Sequence, residues 1–416
     1  MGYRRRTVDD ELDDLLAMAP ALALDGPKGV GKTATAERRC TTAYFLDQDS
    51  HRQRLAGDPT FQATPPGTIL LDEWQRAPEV WDRIRRAVDH GAPPGRFLLT
   101  GSATPRDAAG THSGAGRILS LRMRPMAFHE RANTTPSISF DDLLAGKAED
   151  ILGTTSVNLT DYAHAITDSG FPGIMNQPPR LRPAHLDAYL LRVIDRDLPD
   201  LGLTVRRPET LRRWLNAYAA ATATTTAYSK MLDLTTAGDG SQPAKSTTIA
   251  YRDHLTQLWL LDPLPGWSHS RSPMARLQQA PKHHLADPAL AARLLNVPAR
   301  TLLSPKGAHL FGPLFEALVT LSIRVMAQRS QARVGHLRTR NGDHEVDLVV
   351  EGDEGQVLGI EVKLSADATD SDVRHLHWLR DQLPGDVVDL VVVTTGTHSY
   401  RRADGVAVVP LALLGP

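Results

Sequence analysis

Apolar positions change their spacing along the chain. Up to about residue 130, short apolar runs at 21–24, 68–71, 97–99 and 118–121 alternate with helical stretches, the first over 7–18. That alternation predicts a parallel α/β sheet. Residues 131–160 are rich in Thr, Ser and Asn and predict a connection. Helical spacing governs 161–235, and 238–243 (Gly-Asp-Gly-Ser-Gln-Pro) predicts a loop. Residues 244–258 predict a further helix, and strands alternate with helices again from about 310. No internal repeat is present. The expectation is an α/β chain of several domains, divided at 1–135, 136–205, 206–268 and 269–416.

The first apolar run enters Gly26-Pro27-Lys28-Gly29-Val30-Gly31-Lys32-Thr33. This fits G-x-x-x-x-G-K-[ST] without a gap. Glycines let backbone N–H groups wrap phosphate oxygens, the Lys reaches the terminal phosphates, and the Thr hydroxyl serves Mg²⁺. A chance Gly-rich turn is the alternative. The second run ends in Asp72-Glu73. Asp72 is expected to hold Mg²⁺, largely through water, and Glu73 to polarise the attacking water. Otherwise the pair merely caps the next helix. The third run ends in Thr100-Gly101-Ser102, whose hydroxyls are candidates to sense a γ-phosphate. No Asn-Lys-x-Asp guanine signature occurs, so ATP is expected rather than GTP. Arg117 follows a glycine corner, Gly114-Ala115-Gly116. It is either a finger reaching a phosphate, within its own subunit or a neighbouring one, or a plain surface residue.

These segments, with Leu70-Leu71-Asp72-Glu73-Trp74 and Arg124-Pro125-Met126-Ala127-Phe128-His129-Glu130, resemble a bacterial and archaeal family of AAA-type ATPases. The resemblance covers nearly the whole chain. It implies ATP binding and a C-terminal domain of uncharacterised function that resembles restriction endonucleases. It implies no defined biological role. The expected fold is thus a P-loop parallel α/β ATPase domain, a helical and winged-helix middle, and a restriction-endonuclease-like α/β C-terminal domain.

In the middle, 208–221, 229–234 and 244–258 read as three helices, followed by a strand at 259–261. A helix-turn-helix presents the start of its recognition helix to the major groove. Lys245, Ser246, Thr247 and Arg252 are the candidate DNA-facing set. A helical lid that packs on the ATPase is the alternative, and the long loop before the third helix departs from a tight turn.

Near the C-terminus, 345–351 and 357–364 alternate with period two around a five-residue loop. A symmetric hairpin sets Asp347 opposite Glu361, with Lys363 on the same side. Opposed carboxylates cost about 0.2–1 kcal/mol without a cation. A Mg²⁺ held by Asp347 and Glu361 would turn that repulsion into binding, and Lys363 would orient water or stabilise charge on a phosphate. This is the Asp…Glu-x-Lys logic of a nuclease. Glu316, on a helix starting near 311, is the expected additional acid. An ordinary surface Glu361–Lys363 pair is the alternative. His375 and His377 are two apart and face differently on a helix, and adjacent His283 and His284 are expected to be structural, so zinc is not expected.

Composition constrains partners only locally. Lys+Arg number 47 against 48 Asp+Glu, which excludes a uniformly basic coat. Yet residues 201–282 hold ten basic residues against five acidic, leaving room for a DNA patch in the middle. Aromatics at 5% argue against a stacking platform for single strands. The lone Cys40 excludes an internal disulfide and a cysteine zinc site. No signal peptide or membrane-length apolar run is evident, so a cytoplasmic location without a membrane is expected. The expected ligands are ATP and Mg²⁺, with DNA, a protein partner or a homo-oligomer as possible associates. ATPase activity is expected. Nuclease activity is left open, and a non-cleaving ATP-dependent switch that gates a partner or assembly is the second reading.

Overall fold

The computed structural model describes residues 2–102, 115–131, 135–203, 205, 207–235, 244–268, 279–339 and 342–416. The loop expected at 238–243, and Gly114 of the glycine corner, lie outside the described residues. The chain forms two compact units. The first comprises Met1–Arg124 with Gln257–Leu260, the second Pro125–Thr256 with Leu261–Pro416. The expected divisions at 135/136, 205/206 and 268/269 all fall inside the second unit.

The first unit is built on five parallel strands: β1 (Ala21–Asp25), β2 (Thr42–Phe45), β3 (Ile69–Asp72), β4 (Phe97–Gly101) and β5 (Leu119–Arg122). Their order across the sheet is β2-β3-β4-β1-β5. β1, β3 and β4 are buried along their whole length, which is why they read as unbroken apolar runs. The helix Glu79–Asp89 covers the sheet with Val80, Trp81 and Ile84. Because β4 lies between β1 and β3, the polar tips of all three meet at one sheet edge. The strand expected at 259–261 is absent. Trp259 takes φ 59°, which breaks an extended run, and its ring lies 4.6 Å below the Arg122 guanidinium.

The second unit holds a mixed seven-stranded sheet. Its strands are β7 (Gly153–Thr154), β8 (Arg333–Arg338), β9 (Glu345–Glu351), β10 (Val357–Val362), β11 (Val387–Thr394), β12 (His398–Arg401) and β13 (Ala407–Pro410). They run in the order β7-β12-β13-β11-β10-β9-β8. β9 and β10 pair Leu348 with Ile360 and Val350 with Leu358, the register a symmetric hairpin requires. The helix Asp370–Gln382 packs closely at Gly359, where an added Cβ would meet Leu379 and Leu390 at 3.0 Å. The stretch read as a connection is woven into this unit: β6 (Ile138–Ser139) pairs with β14 (Leu414–Gly415), and β7 with β12. The helix Ala308–Arg329 is long and apolar enough to cross a bilayer, contrary to the expectation from apolar runs. Burial accounts for its composition, since 72% of its most apolar window lies inside the unit.

Three helices, Pro208–Ala220, Tyr228–Thr235 and Lys245–Gln257, precede a pair of extended segments. These join by antiparallel bridges between Leu261 and Leu285 and between Leu264 and Lys282, while Thr222 bridges His283 in parallel. His283 packs edge-on between Tyr218 and Tyr228 and its Nε2 bonds the Thr226 carbonyl at 2.7 Å. His284 is buried, and neither ring nitrogen has a hydrogen-bond partner among the described residues. Burial therefore depresses His284 to about 3, with the Lys282 and Arg324 charges adding to the effect. Burial likewise lowers His336 to about 4.

An unfolded histidine takes its proton near pH 6.5, but these two resist until pH 4 or below. Between those limits the unfolded state binds more protons, so stability present above pH 6.5 is lost on acidification. His284→Gln is expected to flatten that loss by up to about 1.4 kcal/mol per pH unit. Urea midpoints at pH 7.5 and 5.5 check it, and an unchanged difference between them rejects the assignment.

Candidate nucleotide site and acidic cleft

The loop after β1 has Gly26 at φ 151°, Gly29 at 81° and Gly31 at 104°. A Cβ on Gly26 would stand 2.2 Å from the Met123 carbonyl oxygen, so the turn admits only glycine there. Lys32 is buried at the start of the helix Lys32–Glu37, and its ammonium donates to the Gly26 and Pro27 carbonyls at 2.7 and 2.9 Å. Burial lowers it to about 8, against the pull of Glu73, Asp25 and Asp72. Charged phosphate oxygens are better acceptors for this ammonium than carbonyls. Val30 is pinned by Arg6, whose guanidinium donates to its carbonyl at 3.1 Å. Lys28 is half-buried.

Asp72 at the tip of β3 is the junction of the site. Its Oδ1 accepts from the Thr33 hydroxyl at 2.7 Å and from the Thr100 hydroxyl. Glu73 follows with φ 55°, its N–H directed at Thr100 Oγ1 at 3.4 Å. Its Oε2 accepts from the Gln75 amide and, at 3.4 Å, from Ser102. Thr33 and Asp72 sit together as a Mg²⁺ pair requires, and both present oxygen to a hard cation. They would hold the ion, which when bound supplies positive charge to the phosphates. Thr100 and Ser102, expected as phosphate sensors, each hold one of the two carboxylates. Arg117 is not drawn to this network by any described contact: its Nε donates to Asp89 at 2.9 Å and its Nη1 to the Ala115 carbonyl.

Three features of this site left no motif in the sequence. Arg6 lies in an unpatterned terminal segment, and Gln75 is one residue beyond the acidic pair. Asp25 is the third: burial raises it to about 7, with a Ser120 hydrogen bond and Lys32 opposing.

In the second unit, Glu316, Asp347, Glu361 and Lys363 line one cavity of about 410 Å³, with Glu345, Arg374 and His375 at its wall. Lys363 donates to Glu361 Oε1 at 2.8 Å. Glu361 Oε2 is buried without a hydrogen-bond partner among the described residues. Burial pushes Glu361 up to about 8, and Asp347 adds to this. Between the acids stands a residue that no motif announced. The Lys282 ammonium lies 2.9 Å from both Glu316 Oε1 and Asp347 Oδ1, and 3.2 Å from Glu345 Oε1. Burial would lower Lys282, but Asp347 and Glu316 outweigh it and hold the charge. Burial would raise Asp347, but Lys282 outweighs it and holds the carboxylate low. Asp347 Oδ2 accepts the Val362 N–H at 3.0 Å. Among the described residues no three His, Cys, Asp or Glu group as a metal site. As folded, then, the cleft does not fit the Mg²⁺ expected on Asp347 and Glu361.

The DNA-facing candidates divide. Lys245 and Ser246 are exposed at the start of their helix and Thr247 is half-buried. Arg252 is engaged, its guanidinium 5.2 Å over the Tyr228 ring and 3.0 Å from Asp253. His375 contacts His344 and Arg374, whereas His377 contacts Asp404.

Residues 19–132 match a family model described as an AAA domain. With the glycine loop and sheet order, this makes them an ATP-binding domain of the P-loop ATPase class. Residues 159–301 match a domain of unknown function (DUF8612) and 311–414 another (DUF4143). Uncharacterized proteins of Mycobacterium bovis and Mycobacterium tuberculosis are each 26% identical over 423 residues, 99% of this chain and 84% of theirs. A Walker-type ATPase of Pyrococcus abyssi is 16% identical with a TM-score of 0.40, covering 69% of this chain and 94% of its own.

Hydrogen bonds to a charged group contribute about 1.5–3 kcal/mol. Lys32→Ala is therefore expected to weaken ATP binding by about 10- to 150-fold, read by calorimetry. A Kd within threefold of the wild type removes Lys32 from phosphate binding.

Proposed function

We propose that this protein hydrolyses ATP and couples its nucleotide state to DNA binding by the second unit. The observation that carries the ATPase half is the chain of bonds from Thr33 through Asp72 and Thr100 to Glu73. It gathers a cation pair and a water-polarising carboxylate at the end of the phosphate loop. Lys32 binds phosphate, Thr33 and Asp72 hold Mg²⁺, and Glu73 orients the attacking water. Arg117 would act as a finger only after leaving Asp89.

The DNA half is supported by three helices followed by bridged extended segments, the order of a winged helix. Lys245 and Ser246 are exposed at the start of the third helix, in a stretch with ten basic and five acidic residues. Cleavage by Asp347, Glu361, Lys363 and Glu316 in a restriction-endonuclease-like domain is the finer form of this reading. Lys282 favours a second one. With that ammonium among the acids, the protein is a non-cleaving ATP-dependent switch that gates a protein partner or another copy of itself.

Binding of the full chain to double-stranded, single-stranded and branched DNA, with and without ATP, separates the two readings. The first expects affinity that falls with salt and a log–log slope reduced by about one in Lys245→Ala. No DNA affinity, together with an ATP-dependent change in mass by light scattering, rejects it in favour of the switch.

A further inference from the structure

Lys282 is fixed from both ends. Its N–H and carbonyl exchange two 2.9 Å bonds with Leu264, so the backbone cannot slide. Its side chain is 2% exposed and ends among Glu316 from the helix Ala308–Arg329 and Glu345 and Asp347 from β9. An ammonium carries three protons, and three carboxylate oxygens stand within 3.2 Å. It donates to two of them, on Glu316 and Asp347, and Glu345 stands beside it as an ion-pair neighbour. A lysine packed only by its stem would leave its head in water, and this one does not.

The neighbouring acids are correspondingly committed. Asp347 gives one oxygen to Lys282 and the other to the Val362 N–H. Glu361 gives Oε1 to Lys363, while its buried Oε2 has no hydrogen-bond partner among the described residues. A divalent ion at Asp347 and Glu361 would have to share Asp347 with a buried ammonium already bonded to it. Like charges at such separations repel strongly where water is excluded.

We propose that the Lys282 ammonium is the resident cation of this cleft, and that a divalent ion binds there only when it is removed. The wild-type cleft is complete without metal, and Asp347 and Glu361 are a latent metal-binding pair held shut by one side chain. This depends on neither DNA binding nor ATP turnover, so failure of either leaves it standing.

The test uses the full chain without nucleotide and Mn²⁺ as the probe, titrated by loss of the free-ion resonance signal. Location comes from Fe²⁺-generated backbone cuts mapped by mass spectrometry, which separates this cleft from Thr33 and Asp72. Wild type is expected to show no cuts near Asp347 or Glu361. Lys282→Met is expected to gain one Mn²⁺ site, at least tenfold tighter than any binding in wild-type cleft residues, with cuts around both positions. Adding Asp347→Asn should remove it. Lys282→Met leaves Glu316 and Asp347 close together without their cation, so Lys282→Met/Glu316→Gln is the second variant, with circular dichroism to verify folding. A wild-type cleft site within threefold of the variant overturns the proposal. So does a folded variant that gains no site. The wild-type arm also decides alone: Mn²⁺-site cuts there that Asp347→Asn abolishes overturn it, and their absence supports it.

Discussion

A buried ammonium holds the second unit in register. Three separate pieces of chain meet at Lys282: its own extended segment, the helix Ala308–Arg329 and strand β9. Burying a charge is strongly unfavourable unless it is paired and hydrogen-bonded, and removing one partner of a buried pair costs about 3–5 kcal/mol. The positions of Glu316, Glu345 and Asp347 are therefore not independent. Displacing Glu316 or Asp347 removes a hydrogen-bonded partner from a buried ammonium. The hairpin, the long helix and the bridged segments thus share a single fixed point.

The first unit meets the same constraint with neutral groups. Asp72 is buried, yet its donors are the hydroxyls of Thr33 and Thr100. Lys32 is buried, yet its acceptors are backbone carbonyls of its own loop. Each charge is satisfied by dipoles, which is adequate but weaker than an ion pair. The same loop that provides them is built from glycines with positive φ, so its amides converge on one point.

What the sequence revealed follows the range of the interactions. The phosphate loop is eight consecutive residues, so its chemistry and its geometry coincide in one string. The hairpin register was legible because a short loop joins β9 and β10, and loop length sets pairing. Lys282 was not legible: it lies 34 residues from Glu316 and 65 from Asp347, and no motif surrounds it. Strands β6 and β7 are two residues long, too short for any period to show. The strand expected at 259–261 failed because Trp259 is an aromatic, a strand former by propensity, used in a left-handed turn against Arg122. In each failure a contact distant in sequence overrode the local preference.

The two carboxylate sites differ in what a cation must displace. At Asp72 an incoming divalent ion meets hydroxyls, which rotate and can themselves become ligands, as the Thr33 oxygen would. Exchange there needs no loss of charge. At Asp347 the same ion meets an ammonium, which cannot ligate and whose departure must carry a whole positive charge out of the core along a strand anchored at Leu264. Both clusters pair an acid with a neighbouring lysine and would be read alike from composition. One aspartate is held by groups that could remain as ligands, the other by a covalently tethered cation. The difference comes from the donor type opposite each aspartate, hydroxyl in one case and ammonium in the other, and not from the number of carboxylates.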